Sequence, residues 1–104
     1  MGGIGTWNTA CAHPDRFTAF VPLASVGEHA PPDAAAGRPL WCFHGDKDAM
    51  PWQPAKEWTE RLKELDPAAG MRFTLLENTD HTNTSERVYS RTDLREWIKS
   101  LLNP

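Results

Sequence analysis

No stretch of this sequence approaches the ~20 consecutive apolar residues that a membrane-spanning helix needs, and its first residues lack the charged, then apolar, order of a secretory leader. The chain is therefore expected to be soluble, cytoplasmic or secreted, with any signal lying ahead of Met1. Positive charge is not in excess either. Against 14 Asp and Glu stand 11 Lys and Arg, a formal net charge of −3. No basic stripe is left to track phosphates, so nucleic acid is excluded as an expected partner. Cysteine is scarce: Cys11 and Cys42 sit in apolar contexts without metal-ligand spacing and read as two buried, reduced thiols. Internal repeats and low-complexity tracts are absent. What is there, 104 residues of which 39% are hydrophobic and 24% charged, suits one small domain, residues 1–104, with no room for two.

The chain is organised around Pro39 to Pro51, PLWCFHGDKDAMP, an apolar run that breaks at Gly45 and delivers two aspartates into a turn. Such a run reads as a buried strand feeding a loop. Ahead of it, three glycines in the first five residues allow a tight turn or a close backbone approach, and Thr6 to Ala12 reads as a short helix ended by His13-Pro14. Phe17 to Leu23 (FTAFVPL) reads as a strand with Pro22 at its end. Ala24 to Arg38, rich in proline, glycine and alanine, reads as a surface loop. Beyond the aspartates, Gln53 to Leu65 shows a helical stripe of Ala55, Trp58, Leu62 and Leu65, with Pro54 in the first turn. Met71 to Glu77 reads as a strand and Thr79 to Thr84 as a polar loop. Ser85 is expected to cap one last helix with Val88, Leu94, Trp97, Ile98, Leu101 and Leu102 as its apolar positions. Strands alternating with helices predict an α/β fold: three parallel strands with flanking helices.

Open parallel sheets keep their chemistry just past the carboxyl ends of their strands. Asp46 or Asp48 follows one strand and His81 the next, 33 residues beyond Asp48. An acid and a histidine so placed match the orienting acid and general base of a nucleophilic triad. On residue types alone, a solvated aspartate and an ordinary loop histidine remain open, because 14 acidic residues and four histidines make some match easy to find. A metal held by His44, Asp46, Asp48 and His81 fits no ligand signature. His44, inside the strand, reads as a satisfied core histidine or as one that supports a neighbouring site residue, whereas His13 and His29 belong to loops. Trp52 beside the acid loop could line a substrate pocket or pack beneath that loop.

Taken together, MGGIGTW, PDRFTAFVPL, PLWCFHGDKDAMP and the DH of TLLENTDH resemble, in order and over nearly all of the chain, the C-terminal half of an α/β-hydrolase. The branch in view is that of carboxylesterases related to dienelactone hydrolases, feruloyl esterases and polyhydroxybutyrate depolymerases. That family carries its nucleophile in G-x-S-x-G, with the triad in chain order Ser, Asp, His. In many members the elbow reads GxSMGGxGT, so the resemblance sets Met1 one residue after the nucleophilic serine and Gly2 at the last glycine of the motif. It implies Asp48 as the acid, through HG-x-x-D, and His81 as the base. Met1 would then be the residue whose backbone N–H forms half of the oxyanion hole. The implied reaction is hydrolysis of a small carboxylic ester through an acyl-enzyme, without cofactor or metal.

The same resemblance implies that the serine and the elbow strand belong to a segment ahead of this chain, which alone would be inactive. Its sheet edge beside Phe17–Leu23 would then meet the missing half or a second copy. Ser25 follows a strand but has no elbow glycines before it, and reads as a loop serine. A non-catalytic remnant that binds a partner or a small ligand near Asp48, Trp52 and His81 is the alternative. Sequencing the DNA immediately 5′ of the Met1 codon separates the two: the esterase reading expects G-x-S in frame, whereas a stop codon and ribosome-binding signal there would remove it.

Overall fold

The computed structural model describes residues 2–27 and 31–102. Helix α1 (Gly2–Ala12) is followed by strand β1 (Leu40–Gly45), helix α2 (Gln53–Leu65), strand β2 (Met71–Leu76) and helices α3 (Thr84–Tyr89) and α4 (Thr92–Leu102). β1 and β2 pair in parallel from Leu40↔Met71 to Gly45↔Leu76. Among the described residues no helix is long and apolar enough to cross a membrane.

β1 is buried along its whole length because both of its faces are covered. Leu40 and Cys42 join Trp7, Ala55, Leu62 and Met71 in one apolar cluster, beneath α1 and α2. Trp41 and Phe43 point the other way, onto Val88, Leu94 and Trp97. This alternation is the two-residue period of a strand read against a helix on each side. Trp7 meets Trp58 edge to face at 5.1 Å. Burial pushes the Cys42 thiol up to about 12, so it stays protonated and inert within the first cluster.

The expected third strand is not formed as a strand. Phe17–Leu23 instead touches β1 through two isolated parallel bridges, Phe20↔Leu40 and Leu23↔Phe43. Trp41 and Phe43 donate to the carbonyls of Phe20 and Pro22, both at 3.0 Å, and Ala24 N–H donates back to Phe43 at 2.8 Å. The rung between them requires an N–H at Pro22, which proline lacks, so the ladder is interrupted and the sheet has two strands. Both bridges keep one register, and the segment still runs along the β1 edge opposite β2.

Helix α1 begins at Gly2, not at Thr6, and takes in the glycines read as a turn. Packing overrides the poor helix propensity of glycine here. A Cβ on Gly3 would lie 1.9 Å from the Leu23 carbonyl oxygen, whereas Gly2 and Gly5 face open space. The loop after Ala24 is also more than a surface connection: a 3-10 turn at Pro32–Ala35 buries Ala35 completely, and Asp33 pairs with Arg61 of α2 at 2.9 Å. Its residues 28–30, including His29, lie outside the described residues.

In α2 the buried residues are Ala55, Thr59 and Leu62, while Leu65 is exposed. Thr59 enters the core because its hydroxyl donates to the Ala55 carbonyl at 2.8 Å. The expected single last helix is two. Asp80 accepts the Asn83 N–H at 2.9 Å and its carbonyl accepts the Thr84 hydroxyl at 2.8 Å, so α3 starts before Ser85 could cap it. A tight turn, Arg91 N–H to the Val88 carbonyl at 3.1 Å, closes α3, and α4 restarts beside the Arg91–Asp93 pair. The change of direction brings Val88 and Leu94 into one cluster and leaves Ile98 and Leu102 partly in solvent.

The fit of α1 against Leu23 predicts opposite effects for two glycines of the same helix. Gly3→Ala should lose about 2 kcal/mol, since backbone has to shift to admit the methyl. Gly5→Ala should gain up to about 1 kcal/mol from helix propensity. Urea melts of both variants check this; equal effects would mean that α1 does not seat on the Leu23 carbonyl.

Candidate active site

Two strand exits meet at the carboxyl end of the sheet. After β1 the chain turns through Asp46, Lys47 and Asp48, and after β2 through Glu77 and Asn78, whose φ of 53° lies in the left-handed region that asparagine tolerates. Backbone bonds stitch the turns together. Asp46 N–H donates to the Leu76 carbonyl and Lys47 N–H to the Thr79 carbonyl, each at 3.0 Å, while Asp46 Oδ1 accepts the Thr79 N–H at 3.2 Å. Gly45 permits this approach: a Cβ there would stand 2.2 Å from the Thr79 carbonyl oxygen.

The stitching carries Asp48 and His81 to one place. His81 Nδ1 lies 2.8 Å from Asp48 Oδ2. The Asp48 side chain is 1% exposed and that of His81 54%. Asp48 Oδ1 accepts the Met50 N–H at 2.9 Å, so both carboxylate oxygens are engaged. A carboxylate accepts only, and His81 must therefore present its proton at Nδ1. That leaves Nε2, with its lone pair, as the nitrogen available to the cleft that His81 lines. The arrangement can accept a proton from a group in that cleft and stabilise the imidazolium that results.

The cleft has a volume of about 290 Å³ and runs between the first turn of α1, the end of the Phe17–Leu23 segment and α3. Gly2, Gly3, Leu23, Ala24, His81 and Tyr89 are among its walls. Ala24, with φ of 64°, holds a conformation that costs on the order of 1–2 kcal/mol for a residue with a Cβ, and its N–H bond to Phe43 keeps it there.

Among the other residues considered from the sequence, Asp46 stays on the outer side of the turn, bonded to Thr79. Trp52 is half-buried and stacks on Phe73 at 6.5 Å, and is not among the walls of the His81 cleft. Ser25 is buried, not solvated; its hydroxyl donates to the Val26 carbonyl at 3.3 Å and its own carbonyl accepts the Trp7 indole N–H at 2.7 Å. His44 is buried and its Nε2 lies 2.8 Å from the Met50 carbonyl oxygen. Of the two readings its sequence position allows, a core residue or a support for a site residue, both apply: it is buried, and it stands four residues before Asp48 at the mouth of the acid loop. Met1 lies outside the described residues. No three His, Cys, Asp or Glu side chains converge as a metal site among the described residues.

This arrangement of elements occurs in a solved structure, the crystal structure of a thermostable esterase, which matches 95% of the chain with a TM-score of 0.79 and 24% sequence identity. The chain spans 28% of the length of that esterase. The likeness establishes an esterase-like fold for this portion. No protein-family model matches the chain. No curated protein matches it either.

Proposed function

We propose that this chain supplies the acid and the base of a serine hydrolase acting on carboxylic esters, Asp48 as the orienting acid and His81 as the general base. The observation that carries the reading is the buried Asp48 carboxylate held 2.8 Å from Nδ1 of a half-exposed His81, at adjacent strand exits. The esterase fold of the matched portion supports it. In this reading the nucleophile is a serine preceding Met1, at the N-terminal end of α1, whose first turn lines the same cleft as His81.

The chemistry then follows from the two nitrogens of one ring. His81 Nε2 takes the serine proton as the hydroxyl oxygen attacks the ester carbonyl, and returns it to the departing alkoxide. Water repeats the cycle against the acyl-enzyme. Asp48 keeps the ring in the tautomer that leaves Nε2 free and faces the imidazolium charge as it forms. The Met1 backbone N–H would be one donor to the oxyanion, as the family resemblance implies. In a protein extended upstream to include G-x-S, His81→Ala and Asp48→Asn should each lower kcat for p-nitrophenyl acetate by about 10⁴-fold. The 104-residue chain alone should stay at background. Undiminished turnover by the extended protein after His81→Ala would sink the assignment, and turnover by the 104-residue chain that both His81→Ala and Ser25→Ala abolish would remove the need for an upstream serine.

A specific observation favours a second reading, a non-catalytic module that pairs with another strand. Phe20, Pro22 and Ala24 bond toward β1, so the backbone groups of Ala19 and Val21 lie on the opposite edge. Phe17, Ile98 and Leu102 are exposed close to that edge, at 48%, 38% and 61%. An edge of this kind templates strand addition. Sedimentation of the purified chain should show self-association at micromolar concentration, and a strict monomer would speak against this reading.

A further inference from the structure

His44 has no task in the triad reading, yet it is wholly buried at the end of β1, next to the acid loop. Its Nε2 lies 2.8 Å from the Met50 carbonyl oxygen. A carbonyl only accepts, so the ring carries a proton on Nε2 and donates it. Met50 donates its own N–H to Asp48 Oδ1 at 2.9 Å, and Asp48 Oδ2 accepts the proton on His81 Nδ1 at 2.8 Å. Three hydrogen bonds thus run from the interior of the sheet to the half-exposed imidazole. His44 Nε2 also stands 3.7 Å from Asp48 Oδ2, too far to bond but near enough for the positive end of its N–H dipole to favour the carboxylate.

The loop needs such an anchor. Residues 46–52 form no regular element, Asp46, Lys47, Ala49, Met50 and Pro51 are exposed, and the Asp48 N–H reaches the Gly45 carbonyl only at 3.3 Å. Packing does not account for an imidazole at position 44. Nδ1 is buried without a hydrogen-bond partner among the described residues, which disfavours histidine relative to an apolar side chain of similar size.

We propose that His44 is a positioning residue for the Asp48–His81 pair: its Nε2–H pins the Met50 carbonyl, fixing the acid loop so that Asp48 presents Oδ2 to His81 Nδ1. The proposal rests on the reading of His81 as the base, and its test needs no turnover. Long-range ¹H–¹⁵N spectra of the ¹⁵N-labelled chain, taken where both rings are neutral, report which nitrogen of each histidine carries the proton. The native chain should show a single tautomer for each ring, Nδ1–H for His81 and Nε2–H for His44.

His44→Gln restores an amide N–H near the position of Nε2 and should keep the His81 pattern. His44→Leu fills the space without a donor and should lose it, leaving His81 as a mixture of tautomers. Should the leucine variant fail to fold, His44→Asn serves in its place, since it also buries an amide but sets the N–H near Nδ1; it should lose the fixed tautomer where glutamine keeps it. A fixed Nδ1–H tautomer of His81 in a folded leucine variant, or in the asparagine variant, overturns the proposal. Loss of the tautomer alongside an upstream-extended protein that proves inactive on esters would retain the role of His44 while removing the ester assignment.

Discussion

Everything at the candidate site depends on how closely two backbones approach at Gly45 and Thr79. The parallel register of β1 and β2 ends at Gly45↔Leu76. Asp48 lies three residues past one end and His81 five past the other. Unconstrained turns of that length would leave the two side chains free of one another. The bonds from Asp46 and Lys47 to the β2 exit, possible only where no Cβ intervenes at residue 45, reduce two loops to one rigid unit. The histidine then meets the aspartate as a consequence of sheet geometry.

That unit places its two ionisable groups in different surroundings. Asp48 is shielded, with both oxygens held by donors, and His81 has one nitrogen committed and a half-exposed ring. A mobile acid would let the imidazole choose either tautomer; a held acid removes the choice. The line of bonds from His44 through Met50 to Asp48 starts inside the buried strand β1 and ends at the His81 ring. The core encloses the strand there, with β1 buried on both faces between Trp7, Ala55 and Leu62 on one side and Val88, Leu94 and Trp97 on the other.

Around this centre the edges of the structure are less complete. β2 is buried only at its ends, Met71 and Leu76, with Phe73 and Thr74 half-buried and Arg72 and Leu75 exposed, and the Phe17–Leu23 segment holds to β1 by isolated bridges on one side. Its other side carries the exposed Phe17, Ile98 and Leu102, an apolar patch beside the free edge of the segment.

Much of this was legible from residue order. The apolar run closed by Gly45, the stripe from Gln53 to Leu65 and the order of strands and helices follow from local chemistry, because periodicity and turn residues act within a few positions. So did the expectation that an aspartate and a histidine would leave neighbouring strand ends. Where the reading departed from the structure, a distant partner had decided. Pro22 interrupts a strand only because its missing N–H faces Trp41; Gly2–Gly5 are helical because Gly3 seats on Leu23; Thr59 is buried and Leu65 is not because of what each side of α2 meets. The sequence by itself determined β1, α2 and β2, their order and the residue types at the strand exits, all of which depend on neighbours along the chain, whereas the interrupted strand at Phe17–Leu23 and the split of the last helix did not follow from it. Only the tertiary structure decided that Asp48 and His81 touch, that Trp52 packs against Phe73, and that His44 reaches the acid loop, because each of these is a distance across the fold that no spacing in sequence specifies.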